Sequence, residues 1–361
     1  MSHSVPYSDL FVSDFDYNLP PELIAQVPLA RRDDSRLLVL DRRGGAITHS
    51  TFRSLPDWLR SGDLLVANDS RVLPGRLKAR KRDTGGAVQL LLLRQEGESW
   101  WALARPAKRL RVGTTLLLQP NEHSSSLELE VTVAERAAAG LVLLSGAGLS
   151  PELLSGYGEL PLPPYIHGRL SNINRYQTIF ARPLGSAAAP TAGLHFTEAT
   201  LDALRLAGVG WATVTLHVGL DTFRPLTVER LVEHKMHTEW CSMSAETAGL
   251  IQTAKERNGR VFAVGTTVAR VLETVGDRLP HAVEHGYTGM TDLFIAPGYK
   301  WRVVDGLVTN FHLPRSTLLM MVCALAGKEA VERAYARAIQ ERYRFYSLGD
   351  AMLVTDVDRE N

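Results

Sequence analysis

Between Pro74 and about Ser150 the sequence changes texture, and this limits the possible folds more than any other feature. Strand-like runs come in quick succession at 87–94, 99–105, 115–118, 127–134 and 141–145. Turn residues separate them, and no long helical pattern intervenes. Short strands at this spacing predict a small antiparallel β-barrel or sandwich. From Thr197 onward helix and strand patterns alternate instead. Helices are expected at 197–207, near 228–231, at 245–257, 268–275, 316–326 and 328–342, and strands at 211–218, 261–264, 292–296 and 303–309. That alternation predicts a mostly parallel sheet or an open, barrel-like α/β domain. Upstream, 37–40 and 47–51 look like paired strands around Gly44-Gly45, and 63–67 like an apolar strand. A chain of 361 residues is expected to hold more than one core. The expected fold is therefore α/β: a discontinuous barrel-like domain, 1–73 and 151–361, with an inserted antiparallel β-barrel domain at 74–150.

The formal net charge is +1, so any anionic partner must be met by a local patch. Cys241 and Cys323 are far apart and form no CxxC, which predicts a reducing compartment with neither a disulfide framework nor a thiolate zinc site. The first 17 residues carry acids and no apolar core, which argues against a signal peptide. No stretch approaches the ~18–20 apolar residues of a membrane span. The expectation is a cytoplasmic protein without membrane contact, and, with no oligomerisation signal, a monomer.

Several short stretches bring chemistry-bearing residues together. The run 187–197, AAAPTAGLHFT, places Thr191, Gly193 and His195 just before a helix that Thr197 can cap. His217 sits near the end of a β-rich run one helix and one strand later, a spacing that can bring both imidazoles to the strand ends of an α/β sheet. Asn68, Asp69 and Arg71 also end a strand; chemistry and a turn held by Asn and Asp side chains are equal readings there. Gly265, Thr266 and Thr267 form a strand–turn–helix junction whose free N–H groups suit a carboxylate or phosphate, with Arg270 one turn on; an ordinary capped helix is the plainer reading. Asn310, His312 and Arg315 share a short loop before a helix that Ser316 can cap. Tyr346 closes a run of alternating basic and aromatic residues, 342–347, suited either to base stacking or to packing as a C-terminal strand. Arg76, Lys78, Arg80 and Arg82 fall on one face of a strand, with Lys108, Arg109 and Arg111 as a second basic group. Such rows track a phosphate backbone or protect a solvated edge strand. His234, His237 and Glu239 suggest a metal but lack the HExxH order. No GxGxxG follows a strand, and neither GxxxxGK[ST] nor GxSxG occurs.

Taken together, the stretches VSDFDYNLPPELIAQVPL, LLVANDSRVLPGRL, GELPLPPYI, GSAAAPTAGLHFT, TLHVGLDTF, VFAVGTTVARVLE, VTNFHLPRSTLLMMV and YRFYSLGDAMLV closely resemble one family. These are the S-adenosylmethionine:tRNA ribosyltransferase-isomerases of queuosine biosynthesis. The likeness runs from near the N-terminus to the last residues and is weakest over 82–150. It implies an α/β barrel-like domain carrying an inserted β-barrel. It implies an enzyme acting on tRNA that bears 7-aminomethyl-7-deazaguanine at the wobble position. The ribosyl part of S-adenosylmethionine, a co-substrate, would be transferred and isomerised onto the aminomethyl group, giving epoxyqueuosine and releasing adenine and methionine. No metal and no prosthetic group are implied. Two positions depart from the family: Asp221 stands where it usually has Gly, and Val268 where it usually has Ser.

That chemistry needs a base for an acidic C5′ hydrogen beside the sulfonium, an acid, and donors for developing negative charge. By residue chemistry, His195 or His217 is the expected base, with Thr191 beside it. Asp69 and Arg71 would orient the sugar or the amine. Thr266, Thr267 and Arg270 would hold the methionine carboxylate. Asn310, His312, Arg315 and Tyr346 would contact the modified base or a neighbouring phosphate. Arg76, Lys78, Arg80 and Lys108 are the tRNA candidates. Two other classes stay open: a non-catalytic tRNA- or RNA-binding protein, and a metal hydrolase built on His234, His237 and Glu239.

Overall fold

The computed structural model describes residues 7–357, apart from 122–123, 125–126, 147–148, 164, 168–171, 220–225 and 227. Among these, two sheets carry the fold. In chain order the strands are β1 (Arg36–Asp41), β2 (Ile47–Thr51), β3 (Leu64–Asn68), β4 (Arg71–Val72), β5 (Arg76–Lys81), β6 (Ala87–Glu96), β7 (Ser99–Arg105), β8 (Thr115–Leu118), β9 (Leu129–Arg136), β10 (Leu141–Ser145), β11 (Gly158–Glu159), β12 (Leu184–Ser186), β13 (Gly210–Leu216), β14 (Glu239–Met243), β15 (Val261–Val264), β16 (Tyr287–Thr291), β17 (Gly306–Asn310) and β18 (Ala351–Thr355). The helices are α1 (Pro151–Leu154), α2 (Glu198–Leu206), α3 (Ala245–Glu256), α4 (Thr266–Val275), α5 (Leu279–His285), α6 (Thr317–Ala326) and α7 (Lys328–Gln340).

The larger sheet has nine strands in the order β16-β14-β13-β3-β15-β17-β18-β1-β2. Its four middle strands, β13, β3, β15 and β17, run parallel. Of these, β3, β15 and β17 are mostly apolar and buried along their whole length, as parallel strands covered by helices must be. The smaller sheet closes on itself, because β5 pairs with β6 on one side and with β8 on the other. Six antiparallel strands, β5-β6-β7-β10-β9-β8, form that barrel, filled by alternate side chains such as Leu77, Leu90, Ala102, Leu116, Val131 and Val142. The fold is thus mixed α/β with an inserted antiparallel β-barrel, as the change of texture predicted.

Local departures have physical reasons. The apolar run 292–296 forms no strand. Ile295 and Ala296 are buried outside any strand, and the polar, glycine-containing Tyr287–Thr291 pairs with β14 instead. Around 228–231 there is only a 3-10 turn, Leu231–Glu233. β18 was not expected; its five residues are all buried, so they show no alternation to read. The aromatic run 342–347 is neither a regular strand nor an exposed stacking surface, since Tyr343, Phe345 and Tyr346 all pack inward.

Candidate active site

The parallel strands end together. Ala67, Val264 and Val308 lie side by side in register, so Asn68, Gly265 and Thr309 come at one level near the carboxyl ends of their strands. Clefts at the carboxyl ends of such strands are where α/β sheets bind ligands. A cleft does open there, with about 540 Å³ of space counting its mouth. Thr191, Thr266, Thr267, Thr309, Asn310, His312 and Tyr346 line it. Gly265 takes φ +96 at the start of α4, a conformation that favours glycine, and a Cβ there would touch Ala192 at 3.4 Å. The turn therefore brings the first N–H groups of α4 and the hydroxyls of Thr266 and Thr267 to the cleft. A second cleft lies between Asp14–Asn18 and helices α6 and α7, walled by Phe15, Leu319, Val331, Tyr335 and Ile339. It is larger, about 800 Å³ counting its mouth, but none of the strand-end residues that meet at the first cleft lines it.

Behind the cleft wall runs a chain of hydrogen bonds. Ser35 Oγ donates to Arg32 O at 3.2 Å and lies 2.7 Å from His195 Nδ1. Asn310 Nδ2 is 3.0 Å from His195 Nε2, and Thr191 Oγ1 donates to Asn310 Oδ1 at 2.9 Å. These partners assign the tautomer: Nδ1 carries the hydrogen, and Nε2 accepts from Asn310. His195 is 5% exposed and stacks on Phe52. Burial, reinforced by the charges of Arg344 and Arg32, pushes its pKa down to about 3. It is a neutral ring with both nitrogens engaged, and it fixes the amide of Asn310, which in turn orients the hydroxyl of Thr191.

His217 lies at the same edge of the sheet but faces other neighbours. Its Nδ1 is 2.7 Å from Ser70 Oγ, and its ring stacks on Trp240. The far edge of the ring fills the space beside Gly185, where a Cβ would fall 2.6 Å from Nε2. Burial lowers its pKa to about 4. His312 is the imidazole that lines the cleft. Its Nε2 is 2.7 Å from Thr309 Oγ1, its backbone N–H donates to Tyr335 Oη, and burial lowers its pKa to about 3.

Other candidates lie elsewhere. Asn68 and Asp69 hold the turn: Asn68 bonds both Leu216 N and O, and Asp69 accepts from Thr215 Oγ1 at 2.7 Å. Asp69 borders a different cleft, with Arg182 and Trp211, and Arg71 is exposed. Arg270 is buried and paired with Glu239, and donates further to Leu293 O and Thr291 O. Burial alone would raise the Glu239 pKa, but His237, Arg270 and Gly219 N–H together hold it below the usual range. Arg315 is exposed and pairs with Asp16. Val268 is fully buried in the main core rather than in the cleft, and Asp221 lies outside the described residues.

The ligand atoms of His234, His237 and Glu239 do not gather among the described residues. Those that do, from His281, Glu284 and His285, are exposed on the seven-residue α5. On the barrel, Lys78, Arg80 and Arg82 are paired with Glu159, Glu128 and Glu130, while Arg76 and Lys108 are exposed. β5 has partners on both sides, so it is not an edge strand. Sequence reasoning passed over Ser35 and Ser70, the partners of His195 and His217, because each lies about 150 positions away along the chain.

A cleft at parallel strand ends with hydroxyl, amide and imidazole groups in its lining, in a chain that also carries a closed antiparallel barrel, defines an α/β protein of the class whose ligands bind at strand carboxyl ends. A family model described as queuosine biosynthesis protein matches residues 12–354. The crystal structure of S-adenosylmethionine tRNA ribosyltransferase from Thermotoga maritima is similar at 39% identity, covering 95% of this chain and 100% of that one, with a TM-score of 0.54. The chain belongs to the queuosine biosynthesis protein family and, like this neighbour, is an enzyme. Among the described residues no helix is long and apolar enough to cross a membrane.

Proposed function

We propose that the protein transfers and isomerises the ribosyl part of S-adenosylmethionine onto 7-aminomethyl-7-deazaguanine at the tRNA wobble position. Epoxyqueuosine-tRNA forms, and adenine and methionine leave. The observation that carries this reading is the convergence of Thr191, Thr266, Thr267, Asn310, His312 and Tyr346 on one cleft. The first turn of α4, with the hydroxyls of Thr266 and Thr267, seats the methionine carboxylate; free N–H groups and the helix dipole both favour an anion there. His312, the histidine that borders the cleft, takes the C5′ proton that the neighbouring sulfonium makes acidic. His195 acts through Asn310 and Thr191 as a positioning residue. Tyr346, packed against Tyr165 with ring centroids 4.1 Å apart, offers a rigid wall to the modified base. The tRNA phosphates meet exposed basic residues such as Arg76 and Lys108 of the barrel.

The test is release of adenine and methionine from S-adenosylmethionine. Release only when tRNA bearing the aminomethyl base is present supports the proposal. Tight tRNA binding with no release favours a non-catalytic binder.

A further inference from the structure

A second, smaller pocket adjoins the cleft through Ser347 and reaches the far side of His195. Three arginines line it: Arg32, Arg175 and Arg344. All three are half-buried. They come from segments far apart in sequence, so the fold gathers the charges on purpose of geometry rather than by local composition.

Their hydrogen bonds go to backbone oxygens. Arg32 donates to Leu194 O at 3.1 Å and Gln177 O at 2.9 Å. Arg175 donates to Ala30 O and Leu29 O at 2.8 and 2.7 Å. Arg344 donates to Val27 O. Among the described residues none of the three forms an ion pair with a carboxylate. Asp350 attracts Arg344, but its two oxygens accept from the backbone N–H groups of Arg36 and Arg344. Two donors, Arg175 Nε and Arg344 Nη1, are shut off from solvent without a partner. A buried donor left unmade costs about 1–3 kcal/mol, and three half-buried like charges, with only Asp350 attracting one of them, repel one another. Burial and the neighbouring charge of Arg175 lower the pKa of Arg32, and burial lowers that of Arg344.

We propose that Arg32, Arg175 and Arg344 form a phosphate site that holds a backbone phosphate of the tRNA strand whose modified base enters the adjoining cleft. The proposal rests on the function proposed above. A phosphodiester in the pocket supplies a counter-charge for all three guanidinium groups and acceptor oxygens for the N–H groups that face it. The carboxylate of S-adenosylmethionine offers similar oxygens, so the test separates the two sources.

The affinity of an anticodon stem-loop RNA is measured against salt concentration for the wild type and for Arg175→Gln and Arg344→Gln. Affinity for S-adenosylmethionine is measured by calorimetry on the same proteins. Removing one phosphate contact is expected to flatten the slope of log K against log salt by about 0.7. That makes the loss of affinity between 50 and 200 mM salt about 2- to 3-fold smaller than for the wild type. Arg344→Lys keeps the wild-type slope, which guards against misreading a folding defect as a lost contact. S-adenosylmethionine affinity stays at the wild-type value. Unchanged slopes in folded variants would overturn the site and leave only backbone clamps. Weakened S-adenosylmethionine binding with an unchanged slope would also overturn it and give the arginines to the carboxylate. A wild type that binds no RNA would overturn the functional reading, and the phosphate site with it.

Discussion

Asn310 links a buried imidazole to a hydroxyl at the cleft. Its amide nitrogen faces His195 Nε2 and its oxygen receives the Thr191 hydroxyl. Asn310→Ala is expected to lower kcat about 10²-fold while the protein stays folded, because a misplaced reacting group costs about that much. His312→Ala removes the proposed base and should cost about 10²–10⁴-fold. Steady-state rates on modified tRNA check both; near-wild-type turnover by His312→Ala would leave the base assignment without support. At this scale the sequence made Thr191, His195, Asn310 and His312 visible as polar residues beside turns. It did not make their partners visible. The imidazole of His195 is completed by Ser35 and Asn310, which lie 160 and 115 positions away. Arg270 was legible as a charge one turn into a helix, but its role depended on Glu239, brought opposite it only by the sheet.

Helix α4 positions the cleft, and one carboxylate fixes its surroundings. Glu273 is buried on α4 and accepts from Arg302 N, Val303 N, Val304 N and Tyr299 Oη at 2.9 to 3.2 Å. Glu273→Ala leaves three backbone donors unmet, two of them buried. It should destabilise the fold by about 2–4 kcal/mol, read as a lower midpoint in urea unfolding. A midpoint within error of the wild type would mean that the 299–304 segment rearranges to satisfy those groups. Element types were readable where the pattern was periodic or capped: Thr197, Ser244 and Ser316 cap α2, α3 and α6 through their side chains. The pattern failed for fully buried or polar strands. β18 shows no alternation because both its faces are covered, and β16 is disguised by Gly289 and its threonines.

For the whole molecule, buried neutral histidines set the acid limit of stability. His195 and His312 have folded pKa values near 3, against about 6.5 for an unfolded histidine. Between these values the unfolded chain binds more protons than the folded one, so stability falls as pH drops from about 6.5 towards 3. At pH 5 each contributes a loss of up to about 2 kcal/mol. Asp350 opposes this, since burial raises its pKa and the folded protein keeps that proton longer. With His217, lowered to about 4 by burial, three rings share the drop, so denaturant titrations at pH 7.5 and 5 should show it and His312→Asn should keep about two-thirds of it. An equal stability at the two pH values would contradict the assignment.

The barrel supplies charge rather than a fully free basic row. Arg80 is held by Glu128, so Arg80→Gln is expected to change the salt dependence of tRNA binding less than Arg76→Gln or Lys108→Gln does. A larger effect at Arg80 would mean that the pair opens to receive phosphate. The barrel itself was legible as a run of short strands. Its closure was not, because the pairing of β5 with β8 joins strands about 37 positions apart, and the glutamates that neutralise its basic row come from β9, β11 and the residue before β9.

The most direct test of the account is mass analysis of an anticodon stem-loop carrying the aminomethyl-deazaguanine after incubation with the protein and S-adenosylmethionine. The account predicts a mass gain equal to one isomerised ribosyl unit, present with the wild type and strongly reduced with Asn310→Ala. An RNA that binds tightly yet leaves with its mass unchanged would contradict it.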